Sequence, residues 1–173
     1  VTRTWSASPS GCRHRVGTAP PVPWSPAASA IEEVSPRATE DLHELWRRIA
    51  STILISNTDD HLRNHAFLHA GGNAWSLSPA SDLNPDRSEG RKHLATAIDE
   101  ADTTASIETL MSVAPYFRLD EEDGVDVLRE VLVATSRWRQ VAAKHGISKV
   151  EIEQMVPAFE HAEREAARDL TGA

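Results

Sequence analysis

Residues 57–64 read Asn57-Thr58-Asp59-Asp60-His61-Leu62-Arg63-Asn64 and follow at once on the most regular apolar pattern in the chain. Just upstream, Leu42, Leu45, Trp46, Ile49, Ala50, Ile53 and Leu54 fall at i, i+3, i+4, i+7, i+8, i+11 and i+12. That is one stripe of an amphipathic α-helix. The spacing predicts a helix from Asp41 to Ile55, about 20 Å long at the usual rise per residue. Thr39, Glu40 and Asp41 suit its first turn, where carboxylates complement the positive end of the helix dipole. Ser35-Pro36 is read as the cap and the first helical position.

Downstream of Asn64 the pattern changes to that of a hairpin. Ala66, Phe67 and Leu68 form one arm, Gly71-Gly72 with Asn73 the turn, and Trp75, Ser76 and Leu77 the return. A hairpin brings its ends together, so Ser81 and Asp82 come back to the neighbourhood of Asp59 and Asn64. Pro79 and Pro85 bracket Asp82 and predict an extended segment with restricted backbone.

The rest is predominantly helical. Ile107, Leu110, Met111 and Ala114 give a short helix stopped by Pro115. Asp120 and Asp123 begin a long one carrying Val127, Leu128, Val131, Leu132, Thr135, Trp138 and Ala142 and ending at Gly146. Ser148 and Glu151 form a capping box, Pro157 restarts the chain, and a charged helix runs to Asp169. Trp46, Trp75 and Trp138 sit on apolar stripes and are read as core. Residues 1–30, rich in Pro and Ser, show no period of 2 or 3.6 and are read as an irregular leader.

With 173 residues the chain suits one domain. Its net charge of −8 repels phosphodiester backbones, which argues against direct nucleic-acid binding. No apolar run reaches the ~20 residues of a membrane span. Cys12 is alone, which excludes an internal disulfide framework and fits a cytoplasmic protein.

Asp59 and Asn64 are five positions apart, with Asp82 beyond the hairpin. Phosphoryl transfer needs a carboxylate to orient and deprotonate a hydroxyl, oxygen ligands for Mg²⁺, and positive charge near the phosphoryl group. Asp59 can be the base, Asn64 and Asp82 the metal ligands, and Arg63 or His61 the cation or hydrogen-bond donor. The plainer alternative makes Asp59 and Asn64 turn residues that end the helix. Asp60 is left without a role. His61, His65 and His69 recur every four residues, but the β-like run between them favours surface or supporting histidines over a zinc triad.

The stretches LWRRIASTILISNTDDHLRNHAFL and WSLSPASDLNP, with SRWRQVAAKHGIS and EIEQMVPAFEH, resemble the C-terminal part of the HipA family of bacterial Ser/Thr kinases. Members of that family are the toxins of toxin–antitoxin pairs. The resemblance runs from about Ile31 to His161. It implies a mainly α fold with a small β-hairpin, the C-lobe of a protein-kinase-like fold, over residues 31–173. It also implies that Asp59 is the catalytic Asp, that Asn64 and Asp82 hold Mg²⁺, and that His61 lies near the nucleotide.

Family members usually carry Tyr where this chain has Ser81. The lysines Lys92, Lys144 and Lys149 all follow the loop. The expectation is therefore a truncated kinase without its nucleotide-gripping lobe, whose first thirty or so residues are an unrelated or out-of-frame leader. The expected function is phosphate transfer from ATP, with Mg²⁺, to a protein hydroxyl, with a HipB-like antitoxin as a further partner. The alternative is a non-catalytic interaction module for such an antitoxin. A small-molecule phosphotransferase would resemble an H-x-D loop, and position 57 is Asn.

Overall fold

The computed structural model describes residues 24–99 and 102–173, together with the backbone of Thr2–Thr4. In chain order the elements are β1 (Thr2–Thr4), α1 (Ser25–Val34), α2 (Ala38–Leu54), β2 (Ala66–Gly71), β3 (Ala74–Leu77) and α3 (Ile107–Ser112). There follow α4 (Glu121–Ser136), α5 (Trp138–Lys144), α6 (Lys149–Gln154), α7 (Val156–Phe159) and α8 (Ala162–Thr171). The fold is mainly helical with a small antiparallel sheet, as expected of a kinase-like C-lobe.

Helix α2 lies at the centre, with α1, α3, α4, α8 and the 3-10 turn Ala114–Phe117 packed against it. Its predicted stripe, from Leu42 to Leu54, is essentially inaccessible to solvent. Side chains of this kind contribute roughly 1.5–3 kcal/mol each on burial, so packing rather than helix propensity fixes α2. The indole of Trp46 donates to the Leu110 carbonyl at 3.3 Å, tying α2 to α3. Gly124 of α4 faces them: a Cβ there would lie 3.1 Å from the Met111 side chain and 3.8 Å from Trp46.

The hairpin forms as predicted, with Phe67 opposite Leu77 and Leu68 opposite Ser76. Gly71 and Gly72 adopt φ of 106° and 56° in its turn, a conformation open to glycine without steric cost. The backbone of Thr2–Thr4 pairs antiparallel with β2 and completes three strands in the order β1-β2-β3.

Several expectations need correction. Ser25 to Ala30 are not irregular but form the first turns of α1, and Trp24, Ala27, Ala28 and Ile31 are buried against α2. Residues 5–23, the rest of the expected leader apart from its first positions, lie outside the described residues. Ser35 does not cap α2. It ends α1, and its hydroxyl donates at 2.8 Å to Asp41, which also accepts the main-chain N–H of Leu77 at 2.9 Å. The buried Asp41 thereby fastens the hairpin to the start of α2.

The long helix predicted from Asp120 to Gly146 breaks at Arg137 into α4 and α5. Side chains also bond carbonyls in the last turns before that break. Thr135 Oγ1 donates to Val131 O at 2.8 Å, and the buried Arg164 guanidinium donates to Leu132 O at 3.2 Å. Beyond the break Trp138 is not core. Its ring stacks on Phe159 with centroids 4.5 Å apart, and Arg139 lies over it. The Ser148/Glu151 capping box and the restart at Pro157 are both present.

Candidate functional site

The 57–64 loop is launched by the way α2 ends. Ser56 N donates to Ile53 O at 3.1 Å and Asn57 N to Thr52 O at 2.8 Å, the paired bonds of a Schellman motif. Its left-handed position is filled by Ser56, at φ 54° and fully buried, where glycine is usual. The chain therefore leaves the helix along a fixed direction, with Asn57 buried directly behind it.

Asp60, which the sequence left without a role, anchors the loop. It is buried and accepts hydrogen bonds from Thr52 Oγ1 at 2.7 Å and His65 Nε2 at 2.9 Å. Its main-chain carbonyl accepts from Thr96 Oγ1 at 2.8 Å, and that of Thr58 from Ala95 N at 2.9 Å. One carboxylate thus joins the last turn of α2 to the residue entering β2, clamping both ends of the loop. The Trp24 ring stands edge-on to His65 at 4.7 Å and closes the clamp from α1.

With Asp60 turned inward, Asp59 is exposed, and its carboxylate has no hydrogen-bond or ion-pair partner among the described residues. Leu62 to Asn64 then make one 3-10 turn, in which Leu62 leans on the core and Arg63 is exposed. His61 and Asn64 are half-buried.

The hairpin returns the chain as the sequence predicts. Ser81 Oγ donates to the Asn64 carbonyl at 3.1 Å, Asn84 N to Asn57 Oδ1 at 3.4 Å, and Asp86 N to Ser56 O at 2.9 Å. Three fastenings thus hold the Asp82 segment along the loop. The expectation of a simply extended backbone fails at Asp82 itself, which has a left-handed φ of 58°. Asp and Asn tolerate that region better than most residues. One oxygen of Asp82 accepts from Asn84 Nδ2 at 2.6 Å.

Past Asp82, the Asp86 carboxyl is lowered to about 2, chiefly by hydrogen bonds from the Ser88 hydroxyl and main-chain N–H and secondarily by Lys92. Lys92, almost wholly buried, donates to the Asp86 carbonyl at 3.0 Å and its carboxylate at 3.2 Å. This triad stiffens the turn that follows the site.

Among the described residues, eight buried side-chain polar atoms lack a hydrogen-bond partner, and five of these belong to Ser56, Asn57, His61, Asn64 and His65. Each such atom costs about 1–3 kcal/mol in a finished fold.

The histidines do not converge. His65 is committed to Asp60, and His69 contacts Gly72 O at 2.9 Å and the edge of Trp75. No group of three or more His, Cys, Asp or Glu side chains among the described residues is arranged to hold a metal. A Mg²⁺ ion asks for less, one or two carboxylates with water and phosphate oxygens completing its octahedron. Asp82 and Asn64 are hard oxygen donors of that type. Asp82 keeps an oxygen outside its bond to Asn84, and no hydrogen bond engages the Asn64 side-chain oxygen among the described residues.

Sequence reasoning missed Asp60, Asn84 and the part played by Asn57. The one local signal was the D-x-N spacing of Asp82 and Asn84, which is that of an Asx turn.

No curated protein sequence matches the chain. The family described as the HipA-like C-terminal domain matches residues 24–166, which takes in α1, the loop, the hairpin and the helices as far as α8. With most of its length so matched, and with a helix, loop, hairpin and Asp82 segment assembled as above, the chain belongs to the HipA-like C-terminal domain family.

Proposed function

We propose that the loop and the Asp82 segment form the catalytic and metal-binding side of a Ser/Thr protein kinase of HipA type. The observation that supports this reading is the bond from Ser81, the neighbour of Asp82, to the main-chain carbonyl of Asn64 across the hairpin.

In this reading Asp59, solvent-facing and uncommitted, orients the substrate hydroxyl and accepts its proton as the hydroxyl oxygen bonds to the γ-phosphorus of ATP and the bond to ADP breaks. Asn64 and Asp82 supply the oxygen ligands for Mg²⁺. When bound, that ion would supply charge neutralisation to the phosphates. Arg63, exposed beside Asn64, and His61 offer a cation and a hydrogen-bond donor to the phosphates. The matching partners are a protein bearing the accepting Ser or Thr and an antitoxin of HipB type, in the cytoplasm. Among the described residues no helix is long and apolar enough to cross a membrane.

Calorimetric titration with Mg²⁺–ATP tests the reading, with Asp82→Ala beside the natural sequence. Heat from the natural chain that disappears in the variant supports it. Equal heat from both, or none from either, contradicts it.

A further inference from the structure

We propose that Asn84 is a positioning residue for Asp82, fixing which carboxylate oxygen is offered to a divalent cation; the inference rests on Asp82 being a metal ligand. Asn84 reaches in two directions. Its side-chain amide donates to Asp82 Oδ1 at 2.6 Å, and its main-chain N–H donates to Asn57 Oδ1 at 3.4 Å. Only the NH₂ end of the amide can face a carboxylate, so the orientation of Asn84 is set by chemistry.

Asn57 is buried and held by the Schellman bond to Thr52, so the relay begins on the rigid end of α2. Asp82, by contrast, is exposed and sits in a backbone conformation unusual for a residue with a side chain. Asn84 is what links this exposed carboxylate to the buried frame.

The bond has a chemical consequence. An amide hydrogen on Oδ1 fixes rotation of the carboxylate and leaves Oδ2 as the free donor. That favours one-oxygen coordination, which a small octahedral ion such as Mg²⁺ accepts. It disfavours the two-oxygen mode common for Ca²⁺. Hydrogen-bonding partners of metal ligands typically govern affinity by 10–100-fold.

The test uses Mn²⁺ as a spectroscopic probe: free Mn²⁺ is followed by electron paramagnetic resonance in the presence of ATP, with Mg²⁺ and Ca²⁺ as competitors. The full chain is compared with Asn84→Ala, Asp82→Ala and the double variant, with melting temperatures alongside. The expected result is at least about tenfold weaker Mn²⁺ binding by Asn84→Ala. Its melting temperature should stay that of the natural chain, Ca²⁺ should compete better relative to Mg²⁺, and the double variant should be no worse than Asp82→Ala alone. Unchanged affinity in Asn84→Ala, with binding lost in Asp82→Ala, overturns the role of Asn84 and leaves the metal reading intact. A fall in melting temperature that accompanies the loss makes Asn84 merely structural and also overturns it. Absence of Mn²⁺ binding by the natural chain overturns both.

Discussion

Ser81 and Asn64, seventeen positions apart, are joined by a 3.1 Å hydrogen bond from the serine hydroxyl to the asparagine carbonyl. The hairpin between them is what makes this closure cheap, because its ends meet by construction. Ser81 thus brings a small hydroxyl that binds the loop backbone directly. The loop and the Asp82 segment are therefore drawn together by bonds that each use a main-chain group, while Asp59, Arg63 and Asp82 stay exposed.

Ser56 occupies the left-handed end of α2 with its hydroxyl buried and unpartnered. Replacing it with glycine removes a steric cost and an unsatisfied hydroxyl, against a smaller cost in chain entropy. Ser56→Gly is expected to raise stability by about 1 kcal/mol in urea unfolding.

Asp60 presents the opposite case. Asp60→Ala strands the Thr52 hydroxyl and the His65 Nε2–H inside the protein. The expected loss is about 3 kcal/mol or more, measured by the same unfolding experiment. Asp60→Asn, which keeps the shape, should lose less. A loss within the range of an ordinary surface substitution would mean that the clamp does not hold the loop.

Acid should weaken the fold in two separate windows. Burial pushes the His161 imidazole below its ordinary 6.5, and nearby Arg164 and Lys92 push the same way against the Leu54 carbonyl and Glu163. Below pH 6.5 the unfolded chain takes up a proton that the folded chain resists, so stability falls there and levels off once the folded group protonates. The Asp86 contribution is present above pH 3.8 and is lost as pH falls toward about 2. Unfolding free energy measured against pH should lose its upper step in His161→Gln and its lower step in Asp86→Asn.

The elements with strong periodic or turn chemistry were legible in the sequence. The α2 stripe, the Gly71-Gly72 hairpin and the Ser148/Glu151 box each rest on local patterns that tertiary contacts reinforce. The start of the core carries a signal of the same kind: Trp24, Ala27, Ala28 and Ile31 are themselves spaced i, i+3, i+4 and i+7, although Pro- and Ser-rich sequence surrounds the first of them. The break at Arg137 was not legible, because the apolar spacing runs on through it from Leu132 to Trp138 and Ala142. Trp138 misled for a related reason, since apolar spacing does not say which helix faces will find a partner. At the site, the return of the chain from the hairpin to the Asn64 neighbourhood could be inferred from order and spacing. The inward turn of Asp60 and the left-handed backbone of Asp82 arise from contacts with Thr52, His65 and Asn84 that no local pattern encodes.

Asn64 and Asp82 sharing one cation is the centre of the proposed function. Titrating the natural chain, Asn64→Ala and Asp82→Asn with Mn²⁺ in the presence of ATP measures this. Asp82→Asn keeps a side chain suited to the left-handed backbone, so the fold should be retained. The expected result is a single Mn²⁺ per chain, weakened at least about tenfold by either substitution alone, with melting temperatures unchanged. Binding by Asn64→Ala at the affinity of the natural chain would contradict it.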